Sequence, residues 1–115
     1  MLTRSTQIYS VYRVHAQQPA WRPPTDVYET ENEIIIQIEI AGMRDGHFHL
    51  SRHDRLIVVY GTRSVSAQER RAYHQMEVHL GDFRTEVELP TLADVAALRA
   101  DYDDGFLRIA LPKLK

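Results

Sequence analysis

The sequence contains no cysteine, which excludes disulfide bridges and thiolate-based metal sites from this chain. It also has no apolar run close to the ~20 residues that a membrane-spanning helix needs, and its beginning lacks the apolar middle of a signal peptide. The formal net charge is only −2, so composition gives no reason to expect a polyanionic partner. We therefore expect a cytoplasmic protein that binds neither nucleic acid nor membranes.

The clearest pattern in the chain is an isoleucine repeat between residues 33 and 42. Ile34, Ile36, Ile38 and Ile40 recur with period two, which is typical of a β-strand with one face in a core. Isoleucine is restricted at χ1 and packs well on a pleated surface, so its intrinsic preference agrees with the pattern. The 115 residues are enough for one domain with a core of its own.

Short alternating segments on either side predict further strands, with turn signals every 8–12 residues. The segment 25–30 follows two prolines and reads as an edge strand, whereas 56–61 is apolar on both faces and reads as an interior strand ended by Gly61. Residues 72–80 also alternate, through Met76 and Val78. The total of seven or eight strands with almost no helix predicts an all-β fold, a two-sheet antiparallel β-sandwich.

Two segments of the chain do not fit inside such a sandwich. Residues 1–20 form a short N-terminal arm. The proline-rich linker at 17–24 joins it to the domain, and the lone Trp21 within this linker is expected to anchor the chain on the domain. The stretch 62–71 is long and polar, and segments of this kind are usually functional or leave the body of the domain. We expect the domain to span 21–113 and residues 114–115 to be a truncated C-terminal end.

The order of these motifs resembles the α-crystallin domain of the small heat-shock proteins, over about Trp21 to Lys113. The most specific match is the A-x-x-x-x-G-x-L pattern at Ala100–Leu107, followed by Pro112 and Lys113. The other matching pieces are Pro24–Thr30, Ala41-Gly42-Met43 with Phe48-His49-Leu50, Leu56–Arg63, and Gly81-Asp82-Phe83 leading to Leu89-Pro90.

This resemblance implies an immunoglobulin-like sandwich that acts as an ATP-independent holdase chaperone, binding partly unfolded proteins and limiting their aggregation under stress. It also implies a homodimer, in which a segment of one copy pairs with an edge strand of the other. The exchange segment would contain Ser64, Val65, Arg70, Arg71, Tyr73 and Gln75. The receiving edge strand would contain Thr25, Val27, Tyr28 and Glu29. The alternative is a monomeric co-chaperone-type adaptor that docks on an ATP-driven chaperone.

Client proteins would bind exposed apolar surface, because a holdase takes up unfolded chains by area. One candidate is the groove between two predicted strands, lined by Phe48, Leu50, Ala100 and Tyr102. The other candidate is the arm, through Ile8, Tyr9, Val11 and Tyr12.

Two departures from the family pattern bear on assembly. The chain ends at Lys115 without the I-x-I-type tail that docks into a neighbouring subunit, so a dimer or a small oligomer is expected. Val78 stands where the family often has an arginine, so a charged dimer contact is expected to be missing.

No residue pattern supports an enzyme, a cofactor or a metal site. His47 and His49 share a strand face near His53, yet no carboxylate or cysteine completes a metal site there, and solvent-facing histidines are the favoured interpretation. The acidic turn at 101–105 lacks the spacing and the final glutamate of a calcium loop. No nucleophile elbow or phosphate-binding glycine loop is present in the sequence.

Overall fold

A computed structural model describes residues 19–44, 46–64 and 71–114 of the chain. The described residues form an antiparallel all-β sandwich with one short 3₁₀ turn. The strands are β1 (Thr25–Glu29), β2 (Glu33–Glu39), β3 (Phe48–His53), β4 (Leu56–Arg63), β5 (Gly81–Glu88), β6 (Arg99–Asp103) and β7 (Phe106–Pro112), with the 3₁₀ turn at Val95–Ala97.

The strands are divided between two sheets. One sheet has four strands in the order β1-β2-β7-β6, and the other has three in the order β3-β4-β5. A hydrogen bond between the hydroxyls of Thr25 and Thr85, 2.9 Å apart, joins β1 to β5. Contact between Phe48 and Tyr102 joins β3 to β6 on the opposite side. The two sheets therefore face each other with β1 over β5 and β6 over β3.

The isoleucine repeat lies at the centre of the core, as its period predicts. Its four members are at most 1% exposed and face the second sheet. The neighbouring strand in the sheet is β7, which buries Leu107, Ile109 and Leu111 against them. The core is completed by Met43, Ile57, Val59, Phe83, Val87, Leu89 and Ala93.

Tight turns at positive φ close two hairpins. Asp54 has φ 58° between β3 and β4, and Asp104 and Gly105 have φ 56° and 86° between β6 and β7. Two consecutive positive φ values are those of the type I′ turn that an Asp-Gly pair favours. An Asp-Gly turn therefore closes the hairpin of β6 and β7.

The structure differs from the sequence pattern at the ends of two strands. β4 continues through Gly61 to Arg63, because this glycine pairs with Phe83 of β5 as well as with Phe48 of β3. Residues 71–80 form no strand, although their side chains alternate. The chain re-enters the sheet at Gly81, whose φ of 93° changes its direction.

We expect Gly61→Ala to destabilise the domain by about 1–3 kcal/mol. A Cβ at this position would lie 2.8 Å from Cζ of Phe83 and 2.9 Å from the carbonyl oxygen of His47, and neither the buried ring nor the backbone can move freely. Urea unfolding measures the change. Gly46→Ala is the control, since its Cβ would meet the flexible end of Met43 at 2.8 Å and we expect less than half the loss. Equal losses in the two variants would contradict this explanation.

Candidate interaction surfaces

The strand predicted to receive a second copy is an open edge. β1 pairs with β2 on one side and with no other strand in the described part of the chain. The amide of Glu39 donates to the carbonyl of Pro24, and the amide of Thr30 donates to that of Glu33. Because hydrogen-bonded pairs alternate along an antiparallel ladder, Asp26 and Tyr28 also bond to β2.

The same alternation directs the backbone groups of Thr25, Val27 and Glu29 away from β2, toward the free edge. The side chain of Val27 is 41% exposed although it shares a face with the core residue Ile36. Glu29 forms an ion pair with Lys113 at 2.8 Å. A further antiparallel or parallel strand could therefore add to β1 without breaking any hydrogen bond of the sheet.

The predicted exchange segment is only partly described. Val65 and Arg70 lie outside the described residues, whereas Ser64, Arg71, Tyr73 and Gln75 lie within them and are exposed. The segment 71–79 is exposed throughout and is not paired with any strand of its own sandwich. Its apolar side chains are unusually open, since Tyr73, Met76 and Val78 are 53%, 62% and 70% exposed.

The four side chains of the predicted groove lie on the edge strands β3 and β6. The rings of Phe48 and Tyr102 contact each other with centroids 5.4 Å apart, and Phe48 also packs edge-on against Phe83 at 6.1 Å. Leu50 and Ala100 are exposed on the two strands. Phe48 and Tyr102 are thus engaged in packing, and a client-binding role for the four side chains stays a prediction.

Tyr102 also fixes the loop that follows β2. Its hydroxyl donates to the carbonyl of Ile40 at 2.7 Å and accepts from the amide of Met43 at 3.3 Å. These bonds satisfy two backbone groups beside buried side chains. The tyrosine therefore joins β6 to the loop that follows β2 and to the ring of Phe48 on β3.

We expect Tyr102→Phe to lower the free energy of unfolding by about 1–3 kcal/mol, because it leaves two backbone groups without their partner while keeping the ring contacts. Thermal or urea unfolding measures this loss. Tyr28→Phe is the matched control, because its ring is 43% exposed and we expect a change below about 0.5 kcal/mol. If Tyr102→Phe leaves the free energy of unfolding unchanged, the two hydrogen bonds make no net contribution to stability.

A cluster that the sequence reasoning missed lies where the linker meets the sheet of β3, β4 and β5. It consists of Trp21, Arg63 and His79, and we call it the Trp21 clamp. Cζ of Arg63 lies 4.6 Å from the centroid of the indole, and the imidazole of His79 stacks on the indole at 5.1 Å. Only the expectation that Trp21 anchors the linker pointed toward it, since no periodicity relates these three residues.

The second candidate client surface, the arm with Ile8, Tyr9, Val11 and Tyr12, lies outside the described residues. Within the described part, no group of three or more histidine, aspartate or glutamate side chains is arranged to hold a metal ion. No helix in that part is both long enough and apolar enough to cross a membrane.

Comparison with known families agrees with this architecture. Residues 26–115 match the model of the Hsp20/alpha crystallin family. This match covers most of the chain, including every strand after the first residue of β1. The chain belongs to the Hsp20/alpha crystallin family, which is the family indicated by its motifs.

Two relatives that match this chain share between a quarter and a third of its aligned residues. Small heat shock protein C4 of Rickettsia felis is 27% identical over 103 residues, which cover 89% of this chain and 63% of the relative. An 18.8 kDa class II heat shock protein of Ipomoea nil is 30% identical over 95 residues, covering 79% of this chain and 57% of the relative. The chain thus spans about 60% of the length of these relatives.

Solved structures confirm the sandwich fold. The hspA protein of Xanthomonas axonopodis superposes with a TM-score of 0.72 at 24% identity, covering 83% of this chain and 96% of the other. HSP18.5 of E. histolytica superposes with a TM-score of 0.71 at 24% identity, covering 84% and 91%. At this identity the likeness establishes the fold of the chain.

Proposed function

We propose that this protein is an ATP-independent holdase chaperone of the cytoplasm, which binds partly unfolded proteins and limits their aggregation. The observation that carries this proposal is the family match over residues 26–115. A role in binding rather than catalysis is consistent with the described surface, whose distinctive features are open strand edges and exposed apolar side chains. The domain at 21–113 supplies the sandwich, and the arm at 1–20 adds apolar residues.

We also propose that the protein works as a homodimer or a small oligomer. The exchange segment would leave its own sandwich and add to β1 of a second copy, whose outward backbone groups face no other strand of residues 19–44, 46–64 and 71–114. Covering this edge would remove a template for aggregation. The exposure of Tyr73, Met76 and Val78 supports this proposal, because a partner would bury apolar area that is otherwise in water. It also favours a dimer over the monomeric adaptor.

Suppression of aggregation tests the chaperone proposal. A heat-labile client is heated with an equimolar amount of the full chain and without nucleotide, and light scattering is followed over time. We expect scattering to fall strongly relative to the client alone or to the client with an inert protein of similar size. Unchanged scattering would count against a holdase.

Leu50→Gln tests the groove as a client surface, and we expect about fivefold more protein to be needed for the same suppression. The side chain is 36% exposed, and removing its apolar surface costs roughly 1 kcal/mol of transfer free energy. Leu92→Gln is the matched control, because Leu92 is 60% exposed away from the groove. If both variants behave alike, the groove is not a specific client surface.

A further inference from the structure

The linker before β1 is bound to the sandwich as if it were part of a strand. The amide of Trp21 donates to the carbonyl of Asp82 at 3.1 Å, and the carbonyl of Trp21 accepts from the amide of Arg84 at 2.9 Å. These bonds form a parallel bridge to Phe83 at the start of β5. The position of Trp21 is therefore fixed next to the point where the chain returns from residues 71–80.

Arg63 contacts both this linker and the stretch of chain just before Gly81. Its guanidinium lies over the indole of Trp21, while Nε donates to the carbonyl of His79 at 3.0 Å and Nη2 donates to the same oxygen. Its Nη1 donates to the carbonyl of Ala41 at 3.2 Å. One side chain at the end of β4 therefore holds the loop after β2, the linker and the last residues before Gly81.

His79 brings the stretch that follows the exchange segment into direct contact with Trp21. Its ring is nearly parallel to the indole, at an interplanar angle of 18°. The remaining residues of the segment that the structure describes are exposed, so this contact lies at the base of an otherwise open stretch. The direction in which the segment leaves the sandwich therefore depends on where Trp21 lies.

One hydrogen-bond donor of the Trp21 clamp has no partner among the described residues. Nε1 of Trp21 is buried and has no hydrogen-bond acceptor among the described residues. A buried donor without a partner opposes the closed arrangement, since water would satisfy it once the indole moved outward. Stacking, the cation–π contact and the two backbone bonds of Trp21 must outweigh this cost. The unmet donor therefore lowers the free energy needed to move the indole out of the cluster.

We propose that the Trp21 clamp couples the linker to the exchange segment. Arg63 is a positioning residue that sets the path of residues 71–80, and release of Trp21 loosens that path. Because the exchange segment is proposed to pair two copies, a looser path before Gly81 would weaken that pairing. The effect on pairing rests on the proposed dimer, whereas the coupling within one chain does not.

Amide hydrogen exchange of the full chain, read by mass spectrometry, tests the coupling. Arg63→Gln and Trp21→Ala are compared with the wild type, and Arg84→Gln and Arg22→Gln are matched controls on exposed neighbouring positions. We expect both test variants to speed exchange in peptides covering residues 71–80 at least fivefold. Exchange in peptides covering β2 should stay unchanged, which separates a local effect from general destabilisation.

Two further readouts separate positioning from a simple charge effect. Trp21 is the only tryptophan, so its fluorescence reports the clamp directly, and we expect Arg63→Gln to shift the emission to longer wavelength. Arg63→Lys keeps the charge but not the planar fork that reaches His79 and Ala41. Compared with Arg63→Gln, we therefore expect lysine to return the emission wavelength toward the wild-type value more fully than it returns the exchange rate of residues 71–80. Full restoration of both by lysine would overturn a positioning role.

Sedimentation over a range of concentrations completes the experiment. We expect Arg63→Gln to raise the dimer dissociation constant about tenfold, with Arg84→Gln unchanged. If exchange of residues 71–80 in Trp21→Ala is less than fivefold faster than in the wild type, the coupling is wrong whatever the assembly state. If the wild type is a monomer at all concentrations, the proposed dimer is wrong, and the exchange data still decide whether the clamp couples the two segments.

Discussion

Val27→Pro is expected to raise the dissociation constant of the proposed dimer roughly 100-fold while leaving the sandwich folded. The amide of Val27 faces the free edge of β1, so its loss breaks no hydrogen bond to β2. Proline is tolerated on edge strands for this reason. In a dimer with twofold symmetry the substitution occurs at both contacts, and about 1–1.5 kcal/mol at each gives a factor of this size.

Sedimentation equilibrium measures the dissociation constant, and urea unfolding of dilute protein measures the stability of the single chain. Val27→Thr is the matched control, because threonine keeps the amide and the branched shape, and we expect a change within about threefold. Tyr28→Pro should instead unfold the edge, since the amide of Tyr28 belongs to the ladder with β2. An unchanged dissociation constant for Val27→Pro would show that β1 does not receive the partner strand.

The sandwich was predictable because its signals are local and strong. The period-two isoleucines, the Asp-Gly turn and the alternation from Phe83 to Leu89 each specify a strand or a hairpin within a short window. Burial of Ile35 was not predicted, because it lies on the opposite face of β2 from the isoleucine repeat, yet it is fully buried. Periodicity assigns one face to the core and cannot report what covers the other.

The interaction surfaces were predictable only in part. The prolines before residue 25 indicated the edge strand, whereas its role in receiving a second copy came from the family resemblance and stays a prediction. The alternation through Met76 and Val78 predicted a strand that a single chain does not form. A strand needs a neighbour to accept its backbone hydrogen bonds, so an alternating segment without one stays irregular. On the proposed function, that neighbour is β1 of a second copy.

The Trp21 clamp illustrates what sequence reasoning cannot reach. Arg63 resembles any surface arginine at the end of a strand, and His79 belongs to none of the motifs that the sequence analysis identified. Their contacts depend on the crossing from β4 to β5 and on the linker lying beside Phe83. The fold of the backbone brings these side chains together although they are distant in sequence, and no residue spacing predicts such a contact.

The largest loss of stability is expected for Phe83→Ala, about 3–5 kcal/mol, out of the 5–15 kcal/mol typical of a domain. Phe83 is 1% exposed, and its ring contacts Phe48 under the groove at 6.1 Å and Trp21 of the clamp at 6.0 Å between centroids. Removing it leaves a cavity that the two rigid sheets cannot close.

Urea unfolding with linear extrapolation measures this loss for Phe83→Ala and for Phe83→Leu, the control that keeps most of the volume. We expect leucine to cost no more than about half as much. Because the ring supports Trp21, the emission of the tryptophan should move to longer wavelength in the alanine variant before the main unfolding transition. A loss below about 1 kcal/mol for alanine would mean that the sheets collapse onto the vacated space, and that the groove and the clamp do not share Phe83 as their support.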